Sequence, residues 1–283
     1  MKRMAVVIAC GVLAAYLLGF AALVVFERQL IFSPQRIDEG YAQHVLSYSN
    51  VEEISIQADD NTSLHGWLVS SQGEEPSPLI IYYGGNAEEV SHMISRAHNF
   101  SGFSLLLMNY RGYGLSQGVP SERNLTQDAE RVFDEITKRQ DIDSSRVVVM
   151  GRSIGTGVAV HIAAQRDVQA AILVTPYDSL VKIAQSSVRI YPVAWFMRNR
   201  FQSDAVAPDI DVPMLALVAG NDTIIPRASS LRLVEHWGGD VQLEVIEEAG
   251  HNDIFYHDVF WDSIKDFLRR LAPRQQNSKK PTD

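Results

Sequence analysis

The chain opens on an unbroken apolar stretch and then settles into a repeating alternation of apolar runs and amphipathic segments. From Met4 to Phe26 there is no charged residue, and a helix of about 20 apolar residues crosses a hydrocarbon core of roughly 30 Å. Lys2 and Arg3 precede the run. The positive-inside tendency therefore predicts a single-pass signal anchor over residues 4–26, with a cytoplasmic N-terminus and a periplasmic or otherwise extracytoplasmic remainder. Two other readings compete for the same residues. Gly19-Phe20-Ala21 has the small-x-small form of a cleavage site, but the apolar run continues through "ALVVF" with no polar region around it. Cys10, after "VIA", would be a lipoprotein site with too short an apolar segment before it, so an ordinary membrane-helix residue is preferred. Residues 1–27 are assigned to the anchor and 28–39 to a juxtamembrane linker in which Pro34 stops the helix.

Beyond the linker, "VEEISIQA" and "LHGWLV" read as an antiparallel pair joined by the turn-forming "DDNTS". Six short apolar runs follow, at 79–83, 104–110, 146–150, 170–175, 214–219 and 241–246, of the kind found in strands buried on both faces. Helical patterns lie between them, from Glu88 to Asn99, Glu122 to Arg139 with Ser121 as N-cap, Thr156 to Arg166, Arg227 to Trp237 and Val259 to Leu271. Strand and helix in alternation predict a mainly parallel, eight-stranded sheet with helices on both faces, formed by one domain over residues 40–273. Only residues 176–212 break the alternation. They carry "YPVAWFMRNRF" and are read as a small cap, with Tyr191, Trp195 and Phe196 as its candidate substrate-facing residues. A polar tail, 274–283, closes the chain.

Composition narrows the functional classes. A formal charge of -9, with no run of three or more Lys and Arg, argues against a nucleic-acid partner, because that affinity depends on clustered Lys and Arg. One cysteine excludes an intramolecular disulfide and a Cys-based zinc site. The other histidines lack ligand spacing, and no metal or cofactor is implied.

Ligands of such sheets bind at the carboxyl ends of the strands, so a reactive residue belongs just after a strand. Ser153 meets that condition, three residues past Met150, with Gly151 and Gly155 at minus two and plus two. Small neighbours there suit a nucleophile elbow, a strained strand-to-helix turn; the bland alternative is a helix N-cap serine. A serine hydroxyl needs a base, and the base an orienting carboxylate, in the chain order Ser, acid, His. His251, in "EEAGHNDIF" after the run at 241–246, is assigned as the base. His161 and His236 lie within helices and His257 begins one. Asp222, past the run at 214–219, is assigned as the acid, with Asp178 in "VTPYDSL" as its competitor, while Asp209, Asp211 and Asp253 read as turn or capping residues. The oxyanion donors expected are the N–H of Ile154 and one from the loop "GGNAEE", assigned to Asn86 or its neighbour Gly85.

With "YYGGNAEE", "MNYRGYGLSQG", "GRSIG", "RNRFQSD", "GNDTIIP" and "AGHND" in this order, and "QLIFSP" after the apolar run, the sequence resembles the α/β-hydrolase superfamily. More narrowly it resembles the membrane-anchored group that includes bacterial inner-membrane members, fungal bud-emergence hydrolases and animal protein depalmitoylases. The resemblance runs from about Gln29 to Leu271. It departs at Gly84, where similar proteins have a histidine. It implies an architectural role for Arg111 and Tyr113 in the turn after "LLLMNY". The expected activity is cleavage of carboxylic ester or thioester bonds of acyl substrates, drawn from lipids or lipidated proteins, through an acyl-enzyme. A serine peptidase or amidase of the same fold, and a non-catalytic membrane scaffold, are the alternatives.

Overall fold

The structure is a computed structural model and describes residues 2–72 and 76–271; the tail expected at 274–283 lies outside the described residues. The described residues form one eight-stranded sheet in the order β1-β2-β4-β3-β5-β6-β7-β8. Its strands are β1 (Val51–Gln57), β2 (Ser63–Val69), β3 (Ser77–Tyr83), β4 (Ser104–Met108), β5 (Ile142–Arg152), β6 (Ala170–Val174), β7 (Met214–Ala219) and β8 (Val241–Ile246). The β1–β2 and β2–β4 pairs are antiparallel, and every pairing from β4 through β3 to β8 is parallel. Runs such as "LIIYY" and "MLALVA" are apolar throughout because both faces of these strands are covered, as their complete burial shows. At the edge, β1 alternates instead, with Ile54 and Ile56 turned inward.

The helices are α1 (Lys2–Ile31), α2 (Glu39–Val45), α3 (Glu122–Ile136), α4 (Ile154–Gln165), α5 (Leu180–Ser187), α6 (Val193–Phe196), α7 (Arg227–His236) and α8 (Asp258–Leu271). Two local differences from the sequence reading have physical causes. The segment expected as a helix from Glu88 is a 3₁₀ helix, Val90–Phe100. Its polar side chains bond carbonyls three residues back, His92 to Glu89, Ser95 to His92 and His98 to Ser95, which suits the tighter winding. The segment read as a linker over 28–39 is largely ordered. It holds the last turn of α1, the buried Phe32, and Asp38, whose carboxylate accepts from Tyr41 N at 2.8 Å and caps α2.

The chain reverses direction across the sheet at β3, since β4 lies on one side of it and β5 on the other. That switch point opens a crevice between the loops after β3 and β5. Residues 176–212 rise over it as α5, α6 and two 3₁₀ turns, Ser203–Ala205 and Ala207–Asp209.

Candidate active site

Ser153 sits between the end of β5 and the first residue of α4, with φ 50° and ψ -120°. A non-glycine residue at positive φ costs of order 1–3 kcal/mol. Here the turn is fixed on both sides: Ser153 N donates to Val174 O at 3.0 Å, and Thr156 N to Ser153 O at 2.9 Å. A Cβ at Gly155 would overlap the carbonyl oxygens of Tyr83 and Gly84, and one at Gly151 would overlap the backbone of Gly155. The two glycines are therefore needed because the turn is packed directly against the strand beside it. As helix N-cap, Ser153 makes no side-chain capping bond; its hydroxyl is directed elsewhere.

Oγ of Ser153 lies 3.0 Å from Nε2 of His251, and Nδ1 of His251 lies 2.8 Å from Oδ2 of Asp222. The Oδ1 of Asp222 accepts from the N–H groups of Ile224 and Ile225 at 2.8 and 2.7 Å, which fixes the plane of the carboxylate. The side chains of His251 and Asp222 are both buried. The structure thus brings together the three residues that the strand ends and chain order had singled out. Asp178 stands apart from His251. Its carboxylate is held by Ser229 at 2.5 Å, Arg232 at 2.8 Å and Lys182 at 3.2 Å. Burial alone would push the Asp178 carboxyl up, but the bonds from Arg232, Ser229 and Lys182 outweigh it and hold the group at about 2. The remaining candidates are placed in local structure: His161 bonds Glu130, His236 bonds Arg232 O, and Asp253 accepts from Gly250 N.

The loop after β3 is pinned by its side chains. Oδ1 of Asn86 accepts from Ser33 N at 2.8 Å, from Tyr113 OH at 2.9 Å and from Ala87 N at 2.9 Å. Its own N–H has no acceptor among the described residues, and neither does that of Ile154. Gly85, the alternative donor, is committed: its N–H donates to Oε2 of Glu88 at 2.6 Å. Tyr113 and Ser33 therefore act by positioning Asn86, which gives "QLIFSP" and "NYRGYG" a physical meaning. Arg111 holds the same turn, forking onto Asp128 at 2.6 and 2.7 Å and reaching Asp60 at 2.5 Å.

Sequence reasoning missed the residue pair behind this loop. Glu88, through Oε2, accepts from Arg152 at 2.9 Å, and Tyr82 OH donates to its Oε1 at 2.6 Å. Arg152 continues to Asn252 Oδ1 at 2.9 Å and His251 O at 3.4 Å. Only an arginine directly before Ser153 and a glutamate two residues after Asn86 hinted at it.

A cavity of about 300 Å³ opens beside Ser153, Ile154 and Asn86. Its walls are mostly apolar: Leu180, Ile183 and Phe196 of α5 and α6, Leu23, Leu30 and Ile31 of α1, and Ile224 and Ile225 of the loop after β7. Of the three cap residues expected to face substrate, Phe196 lines it. Tyr191 instead stacks on Tyr16 of α1, with ring centroids 4.7 Å apart, and Trp195 is 87% exposed. Trp195 and Phe196 are successive residues of the single turn α6, so their side chains diverge, and Tyr191 precedes that turn. Among the described residues no group of three or more His, Cys, Asp or Glu side chains is spaced to hold a metal ion.

A sheet of this order with a serine on a strained turn after β5 is the architecture of α/β hydrolases. The chain belongs to that superfamily and, within it, to the bem46-type group; it is a hydrolase. Residues 75–206 match the family described as serine aminopeptidase, S33. An uncharacterized protein of Mycobacterium tuberculosis is 30% identical over 250 residues, covering 87% of this chain and 88% of that one. Protein bem46 of Schizosaccharomyces pombe is 26% identical over 275 residues, covering 90% of each. Among solved structures, an esterase of Pyrococcus furiosus superposes with a TM-score of 0.68 at 17% identity, covering 86% of this chain and 98% of that one.

Proposed function

We propose that the protein is a membrane-anchored serine hydrolase that cleaves carboxylic ester or thioester bonds of acyl substrates. The observation that carries this is the chain of short contacts from Ser153 Oγ through His251 to Asp222, at 3.0 and 2.8 Å, at the mouth of an apolar cavity. In this reading His251 Nε2 takes the Ser153 proton as Oγ bonds to the acyl carbon, while Asp222 orients the imidazole and stabilises its charged form. The carbonyl electron pair moves onto oxygen, where the N–H groups of Ile154 and Asn86 receive the developing charge; one such donor is worth ~3 kcal/mol. Collapse expels an alkoxide or thiolate, which leaves with the proton from His251. Water, deprotonated by the same histidine, then releases the carboxylic acid and restores Ser153.

Helix α1 is the membrane anchor in this proposal, with Lys2 and Arg3 on the cytoplasmic side and the catalytic domain outside it. The matching family's description, a serine aminopeptidase, favours peptide hydrolysis as the second reading.

The test is fluorophosphonate labelling of the full-length protein in detergent beside Ser153→Ala, followed by turnover of matched acyl esters, thioesters and peptide amides. Labelling confined to the protein with Ser153, and turnover of esters or thioesters above amides, are the expected results. Labelling that persists in Ser153→Ala removes the nucleophile assignment, and faster amide turnover selects the peptidase.

A further inference from the structure

Helix α1 does not leave the domain at the end of its apolar run. Glu27 is buried, and its Oε1 accepts from Arg198 N at 2.7 Å, from Asn199 N at 2.9 Å and from Asn199 Nδ2 at 2.9 Å. Two turns and more toward the N-terminus, Phe20 meets Phe196 edge to face with centroids 5.0 Å apart, and Tyr16 OH donates to Ile190 O at 3.1 Å. Gly19 lets the helix approach so closely that a Cβ there would overlap the hydroxyl of Tyr191. Positions 16, 19, 20, 23 and 27 share one helical face, and that face covers the cap.

The depth of this contact can be worked out. At 1.5 Å per residue, Tyr16 to Phe26 is about 15 Å of helix, or half of a hydrocarbon core of about 30 Å. If α1 crosses the bilayer, the segment 188–196 that accompanies it lies within one leaflet. Its outward residues suit that position: Ile190 is 71% exposed and Trp195 87%. Indole is enriched at the membrane–water boundary.

Resting on the hydrolase reading above, we propose that the cavity beside Ser153 is an acyl-chain site whose second wall is the membrane helix itself. Its substrate is a bilayer-resident ester or thioester, which reaches Ser153 from the leaflet between α1 and α6. The cavity's 300 Å³ holds ~10 groups of the size of water, which is room for a linear acyl chain of about that many carbons. Leu23 and Leu30 of α1 line the same slot as Leu180, Ile183 and Val193 of the cap, so a chain within it meets carbon from both elements.

The experiment uses the full-length protein in phosphatidylcholine vesicles. Leu23→Trp and Leu30→Trp narrow the slot from the α1 side, and Leu18→Trp, 72% exposed, is the control on the same helix. The octanoyl-to-acetyl ratio of kcat/KM for nitrophenyl esters should fall roughly tenfold or more in the two slot variants and stay unchanged in the control. In vesicles of brominated-chain lipid, the emission lost in Trp195→Phe should be quenched, as for an indole at the acyl boundary. Fluorophosphonate labelling accompanies every variant. An unchanged ratio with labelling intact overturns the acyl assignment, and unquenched Trp195 overturns the leaflet contact. A wild-type protein that takes no label overturns the hydrolase reading instead and the acyl assignment with it.

Discussion

Arg152 and Glu88 form a buried ion pair at 2.9 Å that joins the three loops meeting at Ser153. Arg152 immediately precedes Ser153 and reaches the loop of His251, while Glu88 holds the N–H of Gly85. A buried pair is poor evidence of net stability, since both ions lose hydration, but removing one partner leaves the other uncompensated, at a cost of about 3–5 kcal/mol. The pair is better understood as setting the register between the loop of Asn86 and that of His251. Phe255 contributes by lying under the guanidinium, 5.4 Å from ring centroid to carbon.

Glu88→Gln is accordingly expected to lower the melting temperature and also to lower kcat by about 10²-fold, the effect of a misplacement near 1 Å. A purely structural role would reduce the number of competent sites without changing each one. Turnover should therefore be expressed per fluorophosphonate-labelled serine, where the loss is expected to remain in kcat with KM little altered.

Two aspartates follow neighbouring strands, and their surroundings predict opposite phenotypes. Asp222→Asn keeps the shape but presents the wrong hydrogen-bonding partner to His251 Nδ1, and should cost about 10⁴-fold in kcat with melting unchanged. Asp178→Asn takes the negative charge from Arg232 and Lys182. It should lower the melting temperature while leaving kcat within a few-fold. Calorimetry and ester turnover on the same two preparations check both, and a reversal of the pattern would restore Asp178 as the acid.

The contrast between these residues also shows what the sequence could carry. Ser153, Asp222 and His251 are legible because each follows an apolar run, and chain order then selects among the alternatives. The parallel sheet is legible for the same reason: strands covered on both faces are written as continuous apolar runs. Glu27, Arg152 and Glu88 are not, since each is a single charged residue whose partner lies 60 or more positions away. The cap was visible only as a break in alternation. That α1 packs along it could not be read, because residues of a membrane helix and of a protein-packed helix are equally apolar. In retrospect Tyr16, Phe20 and Glu27 mark one face, but a face becomes a contact only when its counterpart is known.

The turn at Ser153 gives a prediction about stability. Gly155→Ala places a methyl against the carbonyl oxygens of Tyr83 and Gly84, and β3 cannot yield because it pairs with both β4 and β5. Overpacking of this kind costs typically 1–3 kcal/mol and more where backbone must move. Gly11→Ala, with no atom within 4 Å of the new Cβ, is the control. Thermal melting of the two variants should separate them by several degrees, with Gly11→Ala at the wild-type value and Gly155→Ala below it and poorly labelled by fluorophosphonate.

Acid should weaken the fold in a way that Asp178 can be made to report. Its folded pKa, about 2, lies below the ordinary 3.8, so the folded state binds the proton less readily than the unfolded chain does. The stabilisation is fully present above the unfolded value and disappears as pH falls through the folded one, which places the loss between about pH 4 and pH 2. A depression of nearly two units corresponds to about 2 kcal/mol. Other depressed carboxylates, Asp134 and Asp141 among them, act in the same direction, so wild-type unfolding alone does not isolate Asp178. The difference in urea unfolding free energy between wild type and Asp178→Asn does, because the shared groups cancel. That difference should be largest at pH 5 and shrink by about 2 kcal/mol as the pH is taken toward 2; a difference independent of pH would mean that Arg232 and Lys182 do not hold Asp178 as a charged group.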